Sequence, residues 1–205
     1  MLMPNGFTGV ILRVDLSTGE IKRQEMPEDF YRTYMGGGAL GAYFLLTETV
    51  PGLDPLDPAN ILTIAPSITT GAAISGVSRC SAVSLSPLTG TVGEGQAGGK
   101  TGPLIKRAGY DAIVVTGRAD RLSYLVVEPD KVTITDAQHL AERPVSEVCT
   151  LLEQKHTEKG WSLSILQCGP AGERQVRFAC LLSDRNDAVG RTGMGAVMGS
   201  KNLRA

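Results

Sequence analysis

Apolar and polar residues partly alternate over Gly9 to Leu16 and again over Glu20 to Met26, with Ser17-Thr18-Gly19 between them. A period of two around a turn triplet predicts a β-hairpin. Past Pro27 the spacing lengthens: Glu28 to Met35 predicts a short helix stopped by Gly36-Gly37-Gly38, and Ala39 to about Thr49 predicts a second. The Asp-Pro steps between Pro51 and Asn60 disfavour helix at each aspartate and predict a loop, which leads into a buried strand at Ile61 to Ala65. Further strands are expected at Ser81 to Ser86, Ala112 to Thr116, Ser123 to Glu128 and Lys131 to Thr135, and at Leu163 to Gln167 and Gln175 to Leu182. Thr101 to Ala108 reads as a helix. Val145, Val148, Leu151 and Leu152 recur at helical spacing among charges, which predicts an amphipathic helix from Val145 to His156. Hairpins outnumber strand–helix–strand units, so the expected class is α+β with mostly antiparallel strands and a few flanking helices. No internal repeat or linker divides residues 1–205, which are expected to form a single domain.

The chain has 205 residues, of which 42% are hydrophobic, enough for a substantial core. Lys and Arg (20) nearly balance Asp and Glu (21), so no overall field gathers nucleic acid or an acidic membrane, and any anion binding has to be local. No run of about 18 uncharged apolar residues occurs, and the N-terminus lacks a basic region followed by an apolar one, so a cytoplasmic protein is expected. Cys80, Cys149, Cys168 and Cys180 are widely spaced without a CxxC pair, and His139 and His156 lack partners at ligand spacing; isolated thiols and solvated or capping histidines are expected, with no metal cluster built by this chain alone.

The unusual chemistry lies between Gly76 and Thr101, where glycine-rich runs flank a short strand beside an arginine and a lysine. Bare backbone N–H groups with fixed positive charge suit an anion, phosphate above all. Gly99-Lys100-Thr101 ends like GxxxxGK[ST], yet the first glycine of that motif falls on Glu94, whose carboxylate would repel a phosphate. A second cluster, Gly190 to Gly195, has GxxGxG spacing, the reverse of the dinucleotide fingerprint. There Gly195, Ala196 and Gly199 suit close packing of a final helix, whereas Arg191 between glycines is placed to hold a phosphate.

Five ordered strings carry a resemblance: SPLTG (Ser86 to Gly90), Gly98-Gly99, AGYDAIVVTG (Ala108 to Gly117), GPAGE (Gly169 to Glu173) and AVGRTGMGAVMGSKNLRA (Ala188 to Ala205). With the opening FTGVILRVDLSTGEI and the segment DPLDPANILTIAP, the chain resembles the N-terminal domain of the aldehyde:ferredoxin oxidoreductase family, tungsten- or molybdenum-pterin enzymes, over essentially its whole length. The resemblance implies a β-rich base under a bis-pyranopterin cofactor carrying tungsten or molybdenum, with a magnesium ion bridging the two pterin phosphates. By motif position, Arg79 corresponds to the arginine between pterin and iron–sulfur cluster. Gln96, Ala97 and Gly98 correspond to one cofactor loop, and Asp187, Ala188, Gly190 and Arg191 to the other. Backbone carbonyls of Gln96 and Ala188 are implied as magnesium ligands, in keeping with the preference of that ion for oxygen.

Departures accompany the match. Gln96 stands where the family commonly has asparagine, Lys100 and Thr101 replace aromatic residues, and Cys80 replaces a tyrosine. Gly36-Gly37-Gly38-Ala39 occupies a GGRG-like pattern without its arginine. In the family the cluster cysteines and acid–base groups follow this domain, so the resemblance implies no catalytic residue here. A 4Fe-4S cluster and a ferredoxin-type electron acceptor would come only through remaining domains or a separate catalytic subunit, and the isolated chain is expected to be inactive. An apolar face left by such partners leaves a homo-oligomer open. A stand-alone binding or scaffold module of the same fold, without redox activity, is the alternative.

Overall fold

The computed structural model describes residues 6–157 and 162–205. The predicted hairpin is β1 (Val10–Asp15) and β2 (Glu20–Glu25), paired antiparallel from Val10↔Glu25 to Asp15↔Glu20. Helices α1 (Glu28–Tyr34) and α2 (Gly37–Glu48) follow, with the break at Met35 and Gly36, both at positive φ. Gly36 is required there: a Cβ would lie 2.5 Å from the Pro66 carbonyl oxygen, where the chain crosses the end of β3 (Leu62–Pro66). Then come β4 (Cys80–Leu85), β5 (Val92–Ala97), α3 (Thr101–Arg107) and β6 (Ala112–Thr116).

These strands form one six-stranded sheet in the order β2-β1-β6-β3-β4-β5. Only β1 and β6 run parallel; the remaining neighbours are antiparallel. The middle of the sheet is buried on both faces, as in β3, whose five residues are all buried. One face, with Leu12, Val14, Leu62 and Ile64, packs toward α3 and the C-terminal helix; the other, with Ile11, Val114 and Ala65, packs on Phe30, Tyr31, Leu40 and Phe44 of α1 and α2. A buried pair ties the sheet to the N-terminal segment. Asp111, ahead of β6, accepts hydrogen bonds from the Thr8 and Gly9 amides at 2.8–2.9 Å, and Lys106 of α3 lies 3.2 Å from its carboxylate.

A smaller unit packs alongside. Strands β7 (Ser123–Val127) and β8 (Val132–Asp136) form a hairpin whose base rests on α4 (Val145–His156) through Tyr124, Leu140, Val148 and Leu152. A three-stranded antiparallel sheet, β9 (Leu166–Cys168), β10 (Leu181–Ser183) and β11 (Asp187–Val189), carries the short α5 (Pro170–Glu173) and the buried α6 (Met194–Ser200). The class is therefore α+β with mostly antiparallel strands, as the sequence predicts.

Three expectations change. The hairpins expected between consecutive strands do not account for the sheet order, because β6 inserts between β1 and β3. Of the strand expected over Gln175 to Leu182, only the end is strand: the Val176 amide bonds back to Ala171 and the Ala179 amide to Val176, so the backbone partners are local and the segment turns. Conversely, Val92–Ala97, a glycine-rich run for which the sequence predicts no strand, is a regular edge strand.

Candidate functional site

Strand β5 reads Val-Gly-Glu-Gly-Gln-Ala and alternates exposed and buried. Gly93, Gly95 and Ala97 face inward toward β11 and the turn into α6, where side chains have no room: a Cβ on Gly95 would lie 2.6 Å from Val189 Cγ1, and one on Gly93 would lie 2.9 Å from Thr192 Cβ. Glu94 and Gln96 project to the opposite face, toward the first turn of α2. The glycines thus perform a packing task that only a residue without a side chain allows.

Register fixes where the β5 backbone points. Ser86 donates to the Thr91 carbonyl at 2.8 Å, one step beyond the Leu85↔Val92 pair. Directly opposed residues of an antiparallel ladder alternate between bonded and non-bonded pairs. Gly93 and Gly95 therefore bond to β4, while the N–H and C=O groups of Glu94 and Gln96 point outward. Since β5 ends the sheet, these groups form a free edge.

A cavity of about 520 Å³ opens at this edge, lined by Arg79, Glu94, Gly95, Gln96, Ala188, Gly190 and Arg191. Arg79 comes from the loop before β4, and Arg191 from the tight turn between β11 and α6, where Thr192 and Gly193 both have positive φ. That turn is anchored from behind by Ser86 Oγ, which donates to the Thr192 carbonyl at 2.7 Å. Both arginines are exposed. A second cavity, of about 410 Å³, shares Arg79 and Gln96 and continues over Gly36, Gly37, Gly38 and Ser81 at the start of α2. Arg79 and Gln96 thus stand between two connected hollows.

The structure brings five of the eight residues singled out from the sequence into one cavity: Arg79, Gln96, Ala188, Gly190 and Arg191. The other three lie beside it. Ala97 is buried, with its side chain in the core. Gly98 passes under Asp187, where an added Cβ would approach the Asp187 carboxylate at 3.1 Å, and at Gly99, with φ of 80°, at 2.8 Å. Glu94 is the residue whose part sequence reasoning missed, having entered only as the misfit of a phosphate motif. Its Oε1 accepts from Ser81 Oγ at 2.9 Å and from Gln96 Nε2 at 3.0 Å. The signal was available: in a strand, positions 94 and 96 share a face.

Cys80, next to Arg79, points into the core, and burial pushes its thiol up to about 12. Lys100 lies outside the cavity lining, near Glu153, and the Thr101 hydroxyl is spent on Ser164 and Ser183 at 2.9 and 2.7 Å. A larger cavity, of about 580 Å³, lies between the sheet and the β7–β8 hairpin, but its lining is mainly aliphatic, with Leu62, Ile64, Ile113 and Leu125. Charge and free backbone concentrate at the β5 edge, which is the candidate site. Among the described residues no helix is long and apolar enough to cross a membrane.

A family model described as aldehyde ferredoxin oxidoreductase, N-terminal domain, matches residues 11–205. A tungsten-containing aldehyde ferredoxin oxidoreductase of Pyrococcus furiosus is 42% identical over 201 residues, covering 98% of this chain and 33% of that protein. The aliphatic sulfonate oxidoreductase, WOR-like subunit, of the same organism is 35% identical over 212 residues, covering 97% and 34% respectively. Among solved structures, the active site complex BamBC of benzoyl coenzyme A reductase, with 1,5-dienoyl-CoA, superposes with a TM-score of 0.92 at 32% identity, over 98% of this chain and 30% of that one. The chain spans about a third of the length of the curated relatives it matches. It belongs to the aldehyde ferredoxin oxidoreductase family, to whose N-terminal domain it corresponds.

Proposed function

We propose that the chain is a pyranopterin-binding domain or subunit of a tungsten- or molybdenum-dependent oxidoreductase that converts an aldehyde to a carboxylate and passes electrons to a ferredoxin-type acceptor. The observation that carries this reading is the cavity at the free edge of β5, which joins two arginines from distant parts of the chain to backbone groups that no strand among the described residues takes up. The donor set fits a pterin phosphate. Arg79 and Arg191 supply fixed charge, and the Glu94 and Gln96 amides supply backbone donors of the kind phosphate sites use. Gln96 also turns its carbonyl outward, so that it and Ala188 would offer magnesium hard oxygen ligands. Ala97, Gly98, Asp187 and Gly190 would shape the two loops that carry these groups.

When bound, the metal–pterin group supplies the two-electron chemistry. This chain's part is to seat it: it holds phosphate at the edge, and its glycines let β5 and the 187–193 turn approach closely. The 4Fe-4S cluster and proton-transfer groups would come from remaining domains or a catalytic subunit, so the isolated chain is expected to be inactive. Its place is the cytoplasm.

The test is metal and pterin content of the chain co-produced with those partner domains. Arg79→Ala and Arg191→Ala are each expected to reduce retained pterin roughly tenfold or more, the scale of a lost charge-assisted hydrogen bond. Absence of tungsten, molybdenum and pterin from the wild-type complex would refute the reading, and full retention in both variants would refute the site.

A further inference from the structure

We propose that Glu94 is a positioning residue that accepts a hydrogen bond from an N–H donor edge of the ligand held between Arg79 and Arg191. The cavity would thereby select a molecule that carries both an anionic group and ring N–H donors over a bare anion. This rests on the pterin reading, whose amino-pyrimidinone ring and phosphate are such a combination.

The two carboxylate oxygens of Glu94 are not equivalent. Oε1 is held by two protein donors, Ser81 Oγ at 2.9 Å and Gln96 Nε2 at 3.0 Å. Among the described residues, both hydrogen bonds to the Glu94 carboxylate go to Oε1 and none goes to Oε2. The carboxyl group lies against the first turn of α2, where a Cβ on Gly38 would come within 2.5 Å of Oε1 and 2.6 Å of Oε2. Two donors on one side and the helix on another fix the group, leaving Oε2 as a preset acceptor.

An acid in this place works against the arginines if the ligand is phosphate alone. It lowers the local positive potential and sets an acceptor opposite acceptors. The same acid favours a ligand that meets Arg191 with an anion and Glu94 with N–H groups, and the mismatch excludes simple anions. Gln96 takes part in both tasks: its side chain orients Glu94, and its backbone stands on the free edge.

Glu94→Gln isolates this role. The amide keeps the shape and still accepts from Ser81 and Gln96, but it replaces Oε2 by an NH₂ group, setting donor against donor. Two quantities are measured on the chain co-produced with its partner domains: pterin retained per chain, by fluorescence after oxidative release, and the affinity of cofactor-free protein for inorganic phosphate, by calorimetry. The expected result has opposite signs, with pterin retention down roughly tenfold and phosphate affinity up several-fold, more so at low salt. Equal pterin retention in wild type and variant overturns the proposal. A fall in both quantities also overturns it, since that marks Glu94 as a merely structural support. Absence of pterin from the wild-type complex overturns the parent reading and this proposal together, so the two failures are distinguishable.

Discussion

Replacing Gly199 by alanine sets two physical effects against each other with opposite signs. In the interior of a helix, glycine to alanine stabilises by roughly 1 kcal/mol, because alanine loses less backbone entropy on folding. Gly199 is in α6, whose residues are all buried, and an ideal Cβ there would sit inside contact distance of the Gly172 carbonyl group and 3.0 Å from the Glu173 amide nitrogen. These are backbone atoms of α5, so no rotamer change makes room. The helices would have to part by roughly an ångström in an interior packed like a crystal. Overpacking of this kind costs about 1–3 kcal/mol, and here the obstructing atoms are the least compliant available, so about 3 kcal/mol applies. The net expectation is destabilisation by about 2 kcal/mol, which for a chain of this size lowers Tm by roughly 4–8 °C. Urea unfolding followed by circular dichroism, with wild type and variant at matched concentration, measures it. A variant as stable as wild type, or stabilised by the propensity increment, would refute the claim that α6 is seated on α5 backbone to backbone.

Three further outcomes follow from buried polar groups. Asp111→Asn leaves buried Lys106 without its carboxylate partner and weakens the acceptor for the Thr8 and Gly9 amides, so a loss of about 3 kcal/mol is expected in the same assay; a change under about 1 kcal/mol would contradict the pairing. Lys201 donates to the carbonyls of Pro58, Asn60 and Gly117, and burial, followed by the nearby Arg118, pushes its ammonium down from 10.5 to about 7. Between these values the unfolded chain binds the extra proton, so stability should rise from about pH 7 to 10.5, and Lys201→Met should remove that part of the slope in urea titrations. Burial likewise raises the Cys80 and Cys168 thiols to about 12, so iodoacetamide at pH 8 should alkylate partly exposed Cys180 well before either; equal rates would show the core to be open.

How much of this was legible beforehand depended on whether the signal was local. The β1–β2 hairpin and α4 could be read because alternation and helical spacing are carried by neighbouring side chains. The place of β6 between β1 and β3 could not, since pairings across roughly fifty to a hundred residues leave no trace in local period. Strand β5 was hidden for another reason: two of its six residues are glycines, which have no side chain to show the alternation, and low β-propensity argued for a turn. Tertiary contact decides it, because only glycine lets β5 lie this close to Val189 and Thr192. At the site, residue types were visible but roles were not. Arg79 and Arg191 stood out among glycines, whereas Glu94 looked like a defect until the strand placed it beside Gln96 and Ser81.

A free strand edge is ordinarily a hazard, because its unpaired N–H and C=O groups invite another strand. Here the edge of β5 carries an acidic side chain at its centre and faces an arginine-bearing turn, two devices that discourage strand addition. Those same features define the cavity. The glycines that bring the 187–193 turn close enough to shield the edge also bring Arg191 to it, and the Glu94 charge that disfavours a second strand gives the cavity its acidic wall. Protection of the edge and construction of the site are therefore one problem with one solution. A change such as Gly95→Val, which would push β11 away from β5, should expose the edge and dismantle the site together, seen as self-association by light scattering in step with loss of phosphate binding. Loss of binding by a variant that stays monomeric would separate the two roles and refute the link.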